Sequence, residues 1–249
     1  MALLHQTRKN GVLYEVRTAG ASRRLYTNRA FHTQYHPKHL FTGAIWDCLS
    51  LPSLCLNEPP KRVLVLGVAG GTVIHQLQQL HAPTSVIGIE LDAMHISLAK
   101  KYFSLNYDNL QIIHADAKAW LAGSRATFDY IVDDVFLHAE DGGQGDGEAD
   151  PARSVELDIN WFDLLKKHLS PDGVLIQNHI DEAQAQFACK QLANTRLIQF
   201  ETQGFENQVL AAFPRNKSAD HYKSQLKKRL ANLNASERRR LRHTTREVN

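Results

Sequence analysis

Cysteine is scarce: the 249 residues hold three, Cys48, Cys55 and Cys189. The odd count and wide spacing argue against a disulfide framework and give no metal-ligand pattern, so no metal is expected. Long hydrophobic runs are missing as well. Nothing approaches the ~20 apolar residues that span a bilayer, and no membrane association is expected. The opening residues Met1-Ala-Leu-Leu-His-Gln lack the apolar core of a secretion signal, which makes the cytoplasm the expected location. There are no internal repeats. What remains, 43% hydrophobic and 22% charged, is an ordinary globular composition with length enough for one sizeable core.

Acidic and basic residues are unevenly spread. From Arg215 onward eleven Lys/Arg face three Asp/Glu, so a body of about −5 precedes a tail of about +8, within a net charge of +3. The two read as separate features. The chain divides accordingly into an N-terminal β-hairpin and helical lead-in (1–58), a Rossmann-like domain (59–214) and a basic C-terminal tail (215–249).

Two alternating runs, Val12 to Val16 and Arg24 to Phe31, flank Ala19-Gly20-Ala21-Ser22 and predict a β-hairpin. Helix is expected around 41–51. From Lys61 on, strand signals (63–66, 85–89, 110–113, 130–132, 174–176) alternate with helical ones (73–80, 93–103, 154–169, 182–192). That alternation predicts an α/β fold with a parallel sheet covered on both faces. Two closing strands, 196–201 and 208–213, make an antiparallel edge. The expectation is a seven-stranded, mostly parallel sheet of the class I methyltransferase type, preceded by a short N-terminal β-hairpin.

The decisive segment is Val63-Leu-Val-Leu-Gly67-Val-Ala69-Gly70-Gly71-Thr72. An apolar strand enters a tight turn of small residues that opens onto a helix. Small residues let a ligand approach the turn's N–H groups, and the helix N-terminus adds positive potential. A plain strand-to-helix turn would look similar, so context matters. In Ile87-Gly-Ile-Glu90-Leu-Asp92, Glu90 ends the next strand, where a carboxylate accepts hydrogen bonds from ribose hydroxyls. Asp92 suits a helix cap. In Leu110-Gln-Ile-Ile-His-Ala-Asp116-Ala117, Asp116 follows the third strand, where it faces an adenine amino group or caps the helix of Trp120. Together these residues predict an adenosyl site built from Gly67, Ala69, Gly71, Glu90, Asp116 and Ala117.

These motifs, with Phe128-Asp-Tyr-Ile-Val-Asp-Asp134, resemble the spermidine synthases and their methyltransferase-like relatives over roughly Gly11 to Pro214. The hairpin Arg24-Leu-Tyr-Thr-Asn-Arg-Ala-Phe-His32-Thr resembles the family's strand ending in a donor-contacting Gln, with His32 in the Gln position. The resemblance makes Asp134 the carboxylate that acts on an acceptor amine. Such a group orients the amine and takes its proton as nitrogen attacks carbon on sulfur. A pair of capping aspartates is the plainer alternative.

Two departures bear on the donor. Aminopropyltransferases carry an Asp within the glycine turn, where this chain has Gly70, and a second Asp three residues after the catalytic one, where it has Leu137. A decarboxylated donor exposes a lone ammonium that calls for carboxylate. The missing acids therefore favour methyl transfer from S-adenosylmethionine to a small amine-bearing or cationic acceptor. Aminopropyl transfer from decarboxylated S-adenosylmethionine is the alternative, and a non-catalytic adenosyl-binding regulatory protein is the alternative of another class.

Glu140, Asp141, Asp146, Glu148 and Asp150 sit among glycines after the fourth strand, at the mouth where open α/β sheets bind ligands. Such a loop reads either as an acidic lid drawing in a polyamine or as a solvated segment. Trp161 and Phe162 read as helix-core residues, and Gln177-Asn178-His179 as possible pocket lining. Helical spacing over 222–233 interleaves lysines with leucines. Nucleic-acid binding there is a third reading, less favoured than a solvated tail because no aromatic interleaving accompanies the charge. The N-terminal hairpin is short for a separate domain, so a homodimer is possible.

Overall fold

A computed structural model describes residues 1–138, 149 and 151–248. It opens with β1 (Ala2–Lys9), β2 (Val12–Ala19), β3 (Ser22–Thr27) and β4 (Ala30–Tyr35), an antiparallel meander in that order. The expected hairpin is β2–β3, closing at Ala19 opposite Ser22. The second apolar run is broken at Asn28-Arg29, whose φ values of 45° and 71° make a tight reversal. The Asn28 side chain accepts the Leu13 N–H there at 2.8 Å. Strand β1 is an addition to the expected hairpin; its side chains are nearly all exposed, so it carries no alternating pattern.

Helix α1 (Ile45–Ser50) and a 3-10 turn (Leu51–Cys55) follow. The helix starts later than its apolar content suggests, because the Asp47 carboxylate accepts N–H groups from Thr42 and Gly43 and folds them into a turn. Then come β5 (Arg62–Leu66), α2 (Thr72–His81), β6 (Ser85–Glu90), α3 (Ala93–Tyr102), β7 (Leu110–His114), α4 (Ala117–Gly123) and β8 (Phe128–Asp133). A two-stranded ribbon, β9 (Phe136–His138) with β10 (Pro151–Arg153), leads to α5 (Ile159–Lys167). Helix α5 is shorter than expected because Asp158 caps it, accepting the Trp161 N–H at 2.7 Å. The chain ends with β11 (Leu169–His179), α6 (Glu182–Gln191), β12 (Arg196–Thr202), β13 (Gln208–Phe213), α7 (Ala219–Ala231), α8 (Ala235–Arg240) and β14 (His243–Val248).

The main sheet runs β14-β12-β13-β11-β8-β5-β6-β7. Strands β11, β8, β5, β6 and β7 are parallel, and β13, β12 and β14 form the antiparallel edge. Alternation along the strands separates two cores. Val63, Val65 and Val132 face α1, α2 and α7, while Leu64, Leu66 and Ile131 face α4, α5 and α6. The N-terminal meander is bound in by Tyr14, Val16 and Leu25, which bury against Leu98 and Phe103 beside α3.

Residues 215–248 are not a solvated tail. Tyr222 of α7 stacks on Phe213 with centroids 4.4 Å apart, and Leu226 is buried. Glu237 of α8 accepts the Phe41 N–H at 3.0 Å and meets His39 at 2.9 Å. Strand β14 then adds an eighth strand to the expected seven by pairing with β12. Its polar sequence, HTTREV, gave no strand signal because an edge strand needs few apolar side chains. Among the described residues, no helix is long and apolar enough to cross a membrane.

Candidate active site

Strand order reverses between β5 and β8: β6 and β7 continue one way, β11 and β13 the other. At such a switch point the carboxyl ends of neighbouring strands diverge into a crevice. Gly67 leaves β5 there and Asp134 leaves β8, and the Asp134 N–H donates to the Leu66 carbonyl at 2.9 Å. Gly67 is held at φ +83°, and a Cβ on it would run into the Asp134 carbonyl. Only glycine lets the two strand ends approach this closely.

The crevice opens into a cleft of about 450 Å³. Gly67, Ala69, Glu90 and His95 line one end of it, with His32 from β4. Asp134, Phe136 and Asn178 line the middle, and Asp181, Glu206 and Asn207 stand at the other end. Phe31, Trp46 and Phe205 form an aromatic wall: Phe31 and Trp46 meet edge-to-face at 5.0 Å, and Trp46 and Phe205 at 6.3 Å. A second, narrower crevice of about 20 Å³ lies beyond Glu90, among Gly67, Ala115, Asp116, Ala117 and Leu137. It has room for about one water molecule.

Glu90 belongs to both crevices. One carboxylate oxygen accepts the N–H groups of Val68 and Ala69 at 3.0 and 2.8 Å, and the other accepts that of Asp92 at 2.8 Å. His95 lies 3.7 Å away, and its ring also meets the Thr27 hydroxyl at 2.7 Å. Burial would raise the Glu90 pKa, but His95 and the backbone N–H groups outweigh it and hold it at about 2. Burial opposes charge on His95, yet its contact with Glu90, aided by Asp92, raises its pKa. The two groups thus favour each other's charged forms, the imidazole beside a buried carboxylate.

Asp134 is held differently. One hydrogen bond reaches its carboxylate among the described residues, from the Asn178 amide at 2.8 Å, and Asn207 donates in turn to Asn178 at 3.0 Å. Burial pushes its pKa up to about 6; Asn178 and Arg153 oppose the rise, and the charges of Asp133 and Glu90 add to it.

The residues singled out in the sequence converge on these two crevices with one partial exception. Gly71 lies behind the turn, as the left-handed N-cap of α2 packed on Leu105, and does not line the cleft. Asp116 lines the narrow crevice and also caps α4, accepting the Ala119 N–H at 2.8 Å. His32 is buried, with its ring 5.0 Å from that of His95. Of Gln177-Asn178-His179, Asn178 alone lines the cleft. Gln177 and His179 are buried on the opposite sheet face, where the alternation of β11 puts them, and burial lowers the His179 pKa to about 4. Trp161 and Phe162 are core residues. Of the acidic loop, Ala149 is described: its N–H donates to the Arg29 carbonyl at 3.2 Å, and it lines the cleft. The carboxylates Glu140, Asp141, Asp146, Glu148 and Asp150 lie outside the described residues.

Sequence reasoning missed His95, Arg153, Asp181, Glu206 and the aromatic wall. His95 had a usable signal, a histidine one turn after the strand-end acid. Asp181 and Glu206 had none, because they come from two loops brought together by the β11–β13 pairing.

The chain matches the spermine/spermidine synthase domain over residues 49–206. It is 29% identical over 139 residues to a probable polyamine aminopropyl transferase of Bifidobacterium longum, covering 55% of this chain and 28% of that protein. A thermospermine synthase of Arabidopsis thaliana is 24% identical, covering 52% of this chain and 38% of that one. The chain thus spans less than half the length of these curated relatives. Its fold superposes on a probable spermidine synthase of Corynebacterium glutamicum with a TM-score of 0.69 at 14% identity, covering 99% of this chain and 91% of the other.

These similarities overturn the expectation of methyl transfer, because the domain and the relatives are those of aminopropyltransferases. The expectation rested on two missing acids, at Gly70 and Leu137. Two positions of a motif do not fix the charge of a whole cleft, and carboxylates on other segments, Asp181 and Glu206, also line it. The Gly70 position is itself filled: a Cβ there would strike the Thr33 methyl, while the Thr33 hydroxyl accepts the Gly70 N–H at 3.1 Å.

Proposed function

Because the chain belongs to the spermine/spermidine synthase domain family, we propose that it transfers the aminopropyl group of decarboxylated S-adenosylmethionine to an aliphatic amine, a polyamine or its diamine precursor. One observation carries this reading: Asp134 faces a cleft walled by Phe31, Trp46 and Phe205 and lined by carboxylates along its length. Methylene segments lie against aromatic faces, and ammonium groups meet carboxylate or the ring quadrupole. A multiply cationic, aliphatic acceptor matches both features.

In this reading the adenosyl group lies across Gly67, Ala69 and Glu90, with Asp116 and Ala117 at the base and His32 beside the turn. The chemistry of the residues fits: an ionised carboxylate at a strand end, backbone N–H groups in the turn, and small side chains where the ligand passes. The narrow crevice must widen to take the base, by displacement of Leu137 and Val155 on its rim. Asp134, ionised above pH 6, accepts a proton from the acceptor nitrogen. That nitrogen's lone pair forms the new N–C bond. The C–S bond breaks, and its electron pair stays on sulfur, leaving methylthioadenosine. Most of the acceleration comes from holding nitrogen, carbon and sulfur in line. Three thiols without a disulfide pairing agree with the cytoplasm as the place of reaction.

Titration calorimetry and product analysis with the decarboxylated donor and with intact S-adenosylmethionine test the assignment. Methylthioadenosine should form in step with amine consumption with the decarboxylated donor alone. Failure of that donor to bind would overturn the proposal.

A further inference from the structure

Directly behind Asp134 lies a charged cluster for which donor and acceptor binding give no use. Asp133 is fully buried. Arg153, on β10, donates from one terminal nitrogen to both Asp133 oxygens at 2.7 and 2.6 Å. Trp161 Nε1 and Gln177 Nε2 also donate to Asp133, at 2.8 and 2.9 Å. The other terminal nitrogen of Arg153 reaches the Asn178 carbonyl at 3.5 Å, and its Nε donates to the Val155 carbonyl at 3.1 Å. The guanidinium lies 5.8 Å from the ring of Phe136 and 6.0 Å from that of Trp161. Its side chain is 5% exposed.

Adjacent strand residues point to opposite faces. Asp133 therefore points into the core while Asp134 points into the cleft, and the same alternation separates Gln177 from Asn178. Arg153 thus holds the residue before Asp134 and the backbone of Asn178. The hydrogen bond that orients the Asp134 carboxylate joins Asp134 itself to the Asn178 side chain, so Arg153 holds the chain immediately beside both of its members. A buried ion pair is a costly way to join two strands; well-packed apolar residues stabilise a fold equally well or better. Directional hydrogen bonds give a fixed geometry that apolar packing does not.

We infer that Arg153 is a positioning residue: through Asp133 and the Asn178 carbonyl it clips the ends of β8 and β11 together and sets the Asp134–Asn178 geometry. The inference deepens the proposed function and rests on it for its kinetic consequence alone. Groups facing Asp134 are Asp133, Arg153, Glu90 and Asn178, with His32, His95, Asp181 and Glu206 along the same cleft. His179 faces Arg153 and Asp133 from β11.

The test uses two variants of the full chain. Arg153→Lys keeps the charge and loses the fork; Asp133→Asn with Arg153→Met removes the pair without leaving one charge buried alone. The Asp134 carboxyl carbon is titrated by NMR in each, and kcat and KM are measured with the decarboxylated donor. Freed from Asn178, Asp134 should titrate at higher pH in the double variant. In both variants kcat should fall between about tenfold and a hundredfold, with donor KM unchanged. An unaltered titration and unaltered kcat in a folded double variant would overturn the inference. If the double variant does not fold, Arg153→Lys decides, since wild-type kcat in it would leave the fork without a role. If the wild type shows no turnover, the proposed function fails, and the titration still judges the clip.

Discussion

Glu90 and Asp134 are chemically alike carboxylates at the ends of two strands of one sheet, and the protein treats them in opposite ways. Three backbone N–H groups and His95 surround Glu90 and fix it as an anion, with a pKa of about 2. Asp134 has one amide donor among the described residues, and burial lifts its pKa to about 6. A group saturated with donors is suited to hold a ligand and unsuited to take a proton. One desolvated and thinly supported is poised to exchange it. Under the proposed function, the Glu90 end of the cleft is suited to binding and the Asp134 end to proton transfer.

That division can be broken most sharply at Asp134. Asp134→Asn should lower kcat by roughly 10²–10⁴-fold, the usual range for loss of a general base, while calorimetry shows donor affinity unchanged. An equal loss of donor affinity would erase the distinction between the two ends. Glu90→Gln is the complementary change. With hydrogen bonds to charged groups worth roughly 1.5–3 kcal/mol, donor affinity should fall about tenfold to a hundredfold, and kcat at saturating donor should change less.

Acidity sharpens the contrast further. With Asp134 as the base of the proposed reaction, kcat/KM should rise with pH through about 6, and a pH–rate profile reads this directly. The two groups also affect folding with opposite sign. Glu90 is depressed from 4.5, so its stabilisation is present above that value and is lost as pH falls toward 2. Asp134 is raised from 3.8, so its contribution is present below that value and is lost as pH rises through about 6.

The smallest expected effect is at the glycine turn. Gly70→Asp, which supplies the acid expected at that position from the family resemblance, should destabilise the fold by about 1–3 kcal/mol through overpacking against Thr33. Adding Thr33→Ala should recover part of that in thermal melts. A fully stable single variant would show that the turn has more room than the Thr33 contact implies.

The alternating middle of the fold was legible because β5, β6, β8 and β11 are buried runs and because α2 and α5 carry amphipathic spacing. The glycine turn and the strand-end acids that line the two crevices were legible because a turn of this kind needs small side chains in a fixed order. What escaped has a common cause. Strands β1 and β14 are edges whose side chains face solvent, so no alternation marks them. Asp181, Glu206, Phe31 and Trp46 are distant in sequence and gather only through sheet order. The roles of Asp133 and Asp134 depend on which face each takes, and Asp133 proved to be the partner of Arg153.

Gly67 brings the glycine turn into direct contact with the Asp134 peptide. The hydrogen in place of its side chain lets the turn that would cradle the electrophile rest directly on the peptide that carries the base. No side chain stands between them to act as a cushion, so the two halves of the reaction share one rigid joint. A side chain at this position would push the turn and the Asp134 peptide apart, whatever shape the pockets on either side take.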